Sequence, residues 1–236
     1  MARDDRRHRV IPQNQVGVLI PLLLVWGGGV VVLWAILGAS ASDDAQLLLD
    51  AAAAAGMPWF TGLISNLGVL AWTLGAVAAA GAAHIAHLGQ RFRAAMFLRH
   101  AAVVGALLTF DDLFQLHASV FPKVFGVPKA AVLFIYGLGV AVWALTHAAE
   151  IVRTRWGLLF AAGVGISLSV AVDQISSGQD WALLAEDGAK FLGILAWAAY
   201  FTLTARDIAS SVVVELRDAE RMPTTALEPV EDSVAA

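Results

Sequence analysis

Long apolar segments recur along the whole chain, and they constrain the fold more than any other feature of the sequence. Hydrophobic residues make up 59% of the chain, charged residues make up 14%, and the mean hydropathy is +0.73. Soluble domains average about 45–50% apolar and about 25% charged residues. Because a helix needs about 20 apolar residues to cross a bilayer, the sequence predicts an all-α, polytopic membrane protein.

Six apolar segments are long enough to span, and they predict a six-transmembrane-helix bundle over residues 16–207. A polar segment, residues 1–15, precedes this domain, and residues 43–55 are predicted to form a short helix on the membrane surface. Residues 208–236 are predicted to extend the last helix to about Arg221 and then to form a disordered tail. The predicted spans are Val16–Leu37, Pro58–His84, His100–Phe121, Lys129–Ala149, Trp156–Gln174 and a segment from Trp181 to about Arg206.

Arginines are confined to alternate loops, and this distribution predicts the orientation of the bundle. The loops on the opposite side carry only Lys123 and Lys129. Because positively charged loops stay in the cytoplasm, we expect both termini there. The preference for Arg over Lys, with abundant Ala and Val, is typical of a GC-rich bacterial genome and favours a bacterial-type plasma membrane. The arginines lie at positions 3, 6, 7 and 9, at 91, 93 and 99, at 153 and 155, and at 206, 217 and 221.

Asp111 and Asp112 are adjacent carboxylates inside an apolar run. An Asp near the bilayer centre costs roughly 2.5–3.5 kcal/mol on insertion scales. Intramembrane acids therefore indicate a functional site with a partner, a proton or a cation. Further polar residues fall at the same predicted depth on other spans, so we expect one extracytoplasmic pocket. The candidate binding residues are Ser65, Asn66, Asp111, Asp112, Gln115, His117, Asp173, Glu186, Asp187 and Lys190.

Helical periodicity refines this set. At 100° per residue, Gln115 lies 40° from Asp111, whereas His117 lies at 240°, off the acidic arc, and is not assumed to share a site with the two aspartates. Glu186 and Lys190 have the i,i+4 spacing of a favourable ion pair. Continuing their stripe reaches Trp197, Tyr200 and Thr204, which are candidates for an inward extension of the pocket.

Metal and cofactor ligands are limited by composition. The chain has no cysteine, so disulfides and thiolate sites are excluded. A divalent cation remains possible, with Asp111, Asp112, His117 and Asp173 as candidate ligands. No nucleotide or flavin motif is present; the paired glycines Gly137/Gly139 and Gly163/Gly165 are predicted to allow close helix packing. A second polar group lies on the arginine side and consists of His84, His87, His100, His147 and Glu150. We interpret these as ordinary interfacial residues in preference to a haem or metal site.

Two stretches carry a resemblance. Residues 111–117 (DDLFQLH) and 186–193 (EDGAKFLG), with Trp197 and Tyr200, resemble a group of small bacterial multipass membrane proteins of unassigned function over roughly residues 58–207. The resemblance implies a fold and no activity. More remotely, Ser65, Asp112 and His117 resemble intramembrane residues of the alkaline ceramidase and adiponectin-receptor superfamily, which implies zinc hydrolysis. Those proteins have seven helices and a late HxxxH motif, which this chain lacks.

Three functions are consistent with these features. The first is binding or transport of a cation or a protonated solute at Asp111 and Asp112, with Lys190 tethering Glu186 when the site is empty. The second is a metal-dependent intramembrane hydrolase acting on a lipid. The third is a non-catalytic membrane scaffold or accessory subunit. The expected partners are the lipid bilayer, a cation or lipid ligand, and a second copy or another membrane protein; the charge pattern predicts no nucleic-acid surface.

Overall fold

The structure, a computed structural model, describes residues 23–24, 26–31, 34, 55–58, 60–175 and 180–221. The predictions for residues 1–15, for the surface helix up to residue 54 and for the tail at 222–236 lie outside this range. The chain forms two compact units, residues 1–61 and 62–236. In the first unit, residues 23–24, 26–31 and 34 are helical, as the first predicted span requires.

The described part of the second unit consists of helices joined by short turns and has no strands. Five of its segments are long and apolar enough to cross a membrane: Leu63–Leu88, Phe92–Phe114, Lys129–Thr146, Trp156–Ile175 and Leu184–Asp218. This confirms the all-α class, and the five candidate spans support a polytopic membrane protein. The helices are α1 (Leu63–Leu88), α2 (Phe92–Phe114), a π-helical turn (Leu116–Val120), α3 (Phe121–Val124), α4 (Lys129–Thr146), α5 (Ala148–Val152), α6 (Trp156–Ile175) and α7 (Asp180–Arg221).

Several helix boundaries differ from the sequence prediction. Helix α2 begins at Phe92, eight residues before the predicted start at His100, because Arg93 and Arg99 lie on exposed positions where long side chains reach solvent. The first helix of this unit begins at Leu63 and not at Pro58, since Gly62 adopts the left-handed conformation with φ 74° and the chain turns before it. The predicted single helix from Trp181 to about Arg221 is confirmed.

Helix α1 packs against both α2 and α7, and α7 packs against α6. Small residues allow this close approach: a Cβ on Gly165 would lie 2.8 Å from Cα of Gly193, and one on Gly105 would lie 3.1 Å from Cβ of Ala76. The prediction for Gly137, Gly139 and Gly163 was wrong, because a Cβ on any of them meets nothing within 4 Å. Those positions contribute no close packing between the described helices.

A buried aromatic cluster joins four of the helices. Trp143 stacks on Phe97 with ring centroids 5.6 Å apart, and Trp197 lies 4.9 Å from Phe201 and 5.4 Å from Trp72. These rings are almost fully buried. Since aromatic pairs at such distances add to area burial, this cluster links α4, which has few backbone contacts with other helices, to the rest of the unit.

The two ends of the second unit carry different polar residues. The acidic end is defined by three separate ion pairs, which are Asp111 with His117, Asp112 with Lys190, and Asp173 with Lys129. The arginine end is defined by Arg91, which bonds Ser211 and Glu215 on α7, and by Arg155, which pairs with Asp207. The buried aromatic cluster separates these two ends.

Candidate intramembrane carboxylate site

The acidic end brings together polar groups from five helices. It lies at the start of α1, α4 and α7 and at the end of α2 and α6, because successive helices run in opposite directions. Of the candidate binding residues, Asp111, Asp112, His117, Asp173, Lys190, Ser65 and Asp187 lie in direct contacts or line one cavity there.

Asp112 has two strong partners from other helices. Its Oδ2 accepts a hydrogen bond from Nε1 of Trp72 at 2.9 Å, and its Oδ1 contacts Nζ of Lys190 at 2.5 Å. The Asp112 side chain is only 9% exposed, whereas that of Lys190 is 35% exposed. Charge-assisted contacts of this kind stabilise an ionised carboxylate away from bulk water. The predicted tether between Lys190 and Glu186 was therefore wrong, because Lys190 pairs with Asp112.

Asp111 has a separate set of partners. Its Oδ1 accepts hydrogen bonds from the backbone N–H of His117 at 2.9 Å and from the hydroxyl of Tyr136 at 3.0 Å, and its Oδ2 contacts Nδ1 of His117 directly. Asp111 is buried, with 4% of its surface exposed. The two adjacent carboxylates thus have different environments, one facing a lysine and one facing a histidine.

A break in the helix explains the position of His117. Gln115 ends α2 in the left-handed conformation with φ 50°, and a π-helical turn follows. Such turns are frequent at functional sites. The rule of 100° per residue does not continue through this break, so His117, which periodicity placed off the acidic arc, lies beside Asp111. Gln115, which was predicted to lie beside Asp111, is exposed and lies 3.5 Å from the hydroxyl of Ser119.

Asp173 forms a third pair. Nζ of Lys129 lies 2.8 Å and 2.7 Å from its two carboxylate oxygens, and Nε2 of Gln174 donates to Oδ2 at 3.0 Å. Glu186 is repelled by the charge of Asp173 and attracted by that of Lys129, but it forms no ion pair or hydrogen bond with any described residue. Asn66 is exposed and lies outside these clusters. The acidic end therefore holds five carboxylates, two ammonium groups and one imidazole.

A cavity of about 40 Å³ lies against the Asp112–Lys190 pair. A cavity needs about 10–15 Å³ to admit one water molecule, so this one has room for a few waters or a small cation. Both polar and apolar groups form its wall. Its lining residues are Ile64, Ser65, Gly68, Asp112, Asp187, Lys190, Phe191 and Ile194.

Three of the four predicted metal ligands lie close together and have side chains of the types that bind divalent metals. One ligand atom each from Asp111, Asp112 and His117 lie within 4.8 Å of one another, and carboxylates with imidazole are ordinary ligands of divalent metals. In the present arrangement, however, His117 bonds Asp111 and Lys190 neutralises Asp112. A metal would have to displace both contacts. Asp173, the fourth candidate, lies outside this group and pairs with Lys129.

Three residues of the site were missed by the sequence prediction: Trp72, Lys129 and Tyr136. Trp72 and Tyr136 lie in apolar runs, where they read as ordinary hydrophobic positions. Their polar atoms were the available signal, because a buried indole N–H or phenol O–H usually has a hydrogen-bond partner. Lys129 was assigned only a role in orientation.

The histidines of the arginine end do not form a common cluster. Nδ1 of His100 lies 3.0 Å from Nε2 of His147, while His84 and His87 are exposed on α1. Burial lowers the pKa of His147, the neighbouring His100 lowers it further, and Glu150 partly opposes the shift. One nitrogen of this pair must be unprotonated to accept the hydrogen bond, so the pair favours a neutral imidazole.

Comparison with known proteins gives a family and no activity. A family model described as Domain of unknown function (DUF8692) matches residues 16–204. No curated protein and no solved structure matches the chain.

Proposed function

We propose that this chain, which belongs to the Domain of unknown function (DUF8692) family, binds a small cation or a protonated solute at Asp112, in competition with the ammonium group of Lys190. The observation that carries the proposal is the position of the Asp112–Lys190 pair in the wall of a cavity large enough for such a ligand. Asp187 lines the same cavity and adds a second carboxylate.

The charge balance of the acidic end supports a cationic ligand. In the contacts and the cavity described above, five carboxylates lie near two ammonium groups and one imidazole, and Glu186 forms no ion pair with any described residue. Excess negative charge in a poorly solvated place attracts cations or protons. Lys190 then acts as an internal counter-ion, which neutralises Asp112 until a ligand replaces it.

The proposal includes an orientation. Six spans with both termini in the cytoplasm of a bacterial-type plasma membrane would place the acidic end on the extracytoplasmic side, because the arginine end would remain inside. The site would then take its ligand from outside the cell. Binding at such a depth in a membrane protein is compatible with transport.

Ligand titration of the purified full-length chain tests the proposal. Tryptophan emission is a direct readout, because the Trp72 indole donates to the Asp112 carboxylate. We expect NaCl or methylammonium chloride, exchanged against N-methylglucamine chloride at constant ionic strength, to change the emission of the wild type. Asp112→Asn should abolish the cation-dependent change in emission because the ligand no longer binds. Trp72→Phe should also abolish this change, because the reporting indole is absent.

Two further variants sharpen this experiment. Lys190→Gln should bind the cation at least about tenfold more tightly, because the competing charge beside Asp112 is removed. Asp207→Asn is the matched control, since it neutralises a carboxylate at the arginine end and should titrate like the wild type. An Asp112→Asn response equal to that of the wild type would contradict the proposal.

A second candidate function is metal-dependent hydrolysis of a lipid, which is favoured by the grouping of Asp111, Asp112 and His117 within 4.8 Å. Carboxylates and imidazole would hold a divalent ion, and such an ion supplies an activated water. Metal analysis of the purified protein separates the two functions. Stoichiometric metal that disappears in His117→Ala would favour the hydrolase over the cation-binding site.

A further inference from the structure

Four polar residues of α7 recur at intervals of seven along one face of the helix: Lys190, Trp197, Thr204 and Ser211. Positions seven residues apart differ in direction by only about 20° and in height by about 10.5 Å. We call this set the heptad stripe. It begins at the Asp112–Lys190 pair at the acidic end and finishes at Ser211, where Arg91 donates to the hydroxyl at 2.5 Å at the arginine end.

The two middle members of the heptad stripe are buried without good partners. Trp197 is 3% exposed and Thr204 is 2% exposed. In the part of the chain that the structure describes, only Nε1 of Trp197 and Oγ1 of Thr204 are fully buried side-chain polar atoms without a hydrogen bond. A buried polar atom without a partner is costly, and an ordered water is one of its ordinary explanations.

A hydroxyl pair lies beside these two atoms. Tyr200, which is fully buried, shares a 2.7 Å hydrogen bond with Oγ1 of Thr154, in the turn that contains Arg153 and Arg155. The Thr204 hydroxyl is close to that of Tyr200 but is not in hydrogen-bond geometry with it. Hydroxyl groups thus extend from the arginine end into the core, and Trp197 follows one turn nearer the acidic end.

The cavity lies at the other end of the heptad stripe, beside Lys190. Lys190 and Ile194 line it, and Trp197 lies about one turn beyond Ile194. Trp197 also touches Trp72, whose indole donates to Asp112. The buried rings of Trp72 and Trp197 therefore lie between the cavity and the buried hydroxyls.

We infer that the heptad stripe is a hydrated proton path between the Asp112–Lys190 site and the arginine end. This inference rests on the proposed function, because the path begins at the proposed cation site. Hydroxyls and waters would relay the proton, since each accepts one proton and releases another without net change. The indole N–H of Trp197, which can only donate, would orient a water on the path. Between Lys190 and Asp207, α7 carries no carboxylate, so the path lacks the anionic ligands that metal cations prefer.

Proton uptake into liposomes that contain the full-length chain tests the inference. A potassium diffusion potential, negative inside, should acidify the lumen of wild-type vesicles faster than that of protein-free vesicles, as reported by an enclosed pH-sensitive dye. Tyr200→Phe and Thr204→Val should each slow acidification at least about tenfold, because buried polar groups on a proton path are not replaceable by apolar ones. Thr204→Ser, which keeps the hydroxyl, should retain the wild-type rate.

Thr202→Val is the matched control, because Thr202 is exposed on α7 and its hydroxyl bonds the carbonyl of Ala198 at 2.8 Å. It should acidify like the wild type. Wild-type vesicles that acidify no faster than protein-free vesicles would overturn the inference, as would full rates in Tyr200→Phe and Thr204→Val. If cation binding still depended on Asp112, the proposed function would survive this failure; loss of that dependence with intact proton flux would contradict the proposed function alone.

Discussion

Nζ of Lys190 lies 2.5 Å from Oδ1 of Asp112, although the two residues are 78 positions apart in the chain. This contact joins α2 to α7 at the acidic end. Helix α1 joins the same point, because the Trp72 indole donates to the other oxygen of Asp112 at 2.9 Å. The carboxylate of Asp112 therefore connects three helices, and we expect its charge state to affect stability and the proposed cation binding.

The first prediction concerns the energetic coupling of Asp112 and Lys190. Asp112→Asn and Lys190→Gln should each lower the free energy of unfolding by roughly 1–3 kcal/mol, between the values for exposed and buried ion pairs. Each single variant leaves one charge without its partner. The double variant should lose less than the sum of the two, as measured by denaturant unfolding in detergent micelles. Additive losses would show that the pair contributes no coupling energy.

Local sequence patterns predicted most helices but not the partners of the charged residues. Helix α4 begins at Lys129 as expected, because Pro128 precedes it and cannot continue a helix upstream. The partner of Lys190 was predicted as Glu186, since the i,i+4 rule considers one helix only. The actual partner comes from another helix, and one sequence carries no signal that selects it.

Two other features could not be predicted from the sequence: where a helix breaks, and which face of a helix packs against another helix. The position of His117 depends on the left-handed conformation of Gln115. This conformation is uncommon for residues other than glycine, so periodicity alone could not place the imidazole beside Asp111. Likewise, Gly163 and Gly165 are equivalent in sequence, but only Gly165 faces a neighbouring helix. Which face of an almost uniformly apolar helix meets protein and which meets lipid is decided by the assembled bundle.

The second prediction compares these two glycines. Gly165→Ala should destabilise the protein by about 1–3 kcal/mol, because the new Cβ would lie 2.8 Å from Cα of Gly193 and the backbone cannot yield cheaply. Gly163→Ala is the matched control on the same helix. It meets nothing within 4 Å and should be neutral or stabilising by up to about 1 kcal/mol, since alanine favours helices. Unfolding of both variants in the same detergent provides the measurement, and equal losses would contradict the close α6–α7 contact.

The third prediction concerns pH and His147, at the junction of α4 and α5. Burial and His100 lower the pKa of His147 in the folded protein below its ordinary value of 6.5. The unfolded chain then binds this proton more readily, so stability should be full above pH 6.5 and should fall as the pH drops below that value. His147→Gln should weaken this decline, as measured by thermal unfolding between pH 5 and pH 8. An identical pH profile in the variant would contradict the assignment of the decline to His147.

The fourth prediction tests the orientation. The chain has no cysteine, so a single introduced thiol is labelled without background. Lys123 lies beside the acidic end and Arg93 lies near the arginine end, and both are exposed. In intact bacterial cells that express the chain, a membrane-impermeant maleimide should label Lys123→Cys and should label Arg93→Cys only after permeabilisation, because arginine-rich loops stay inside. The reverse pattern would place the Asp112 cavity on the cytoplasmic face, and the direction of ligand entry would then be opposite to the one proposed.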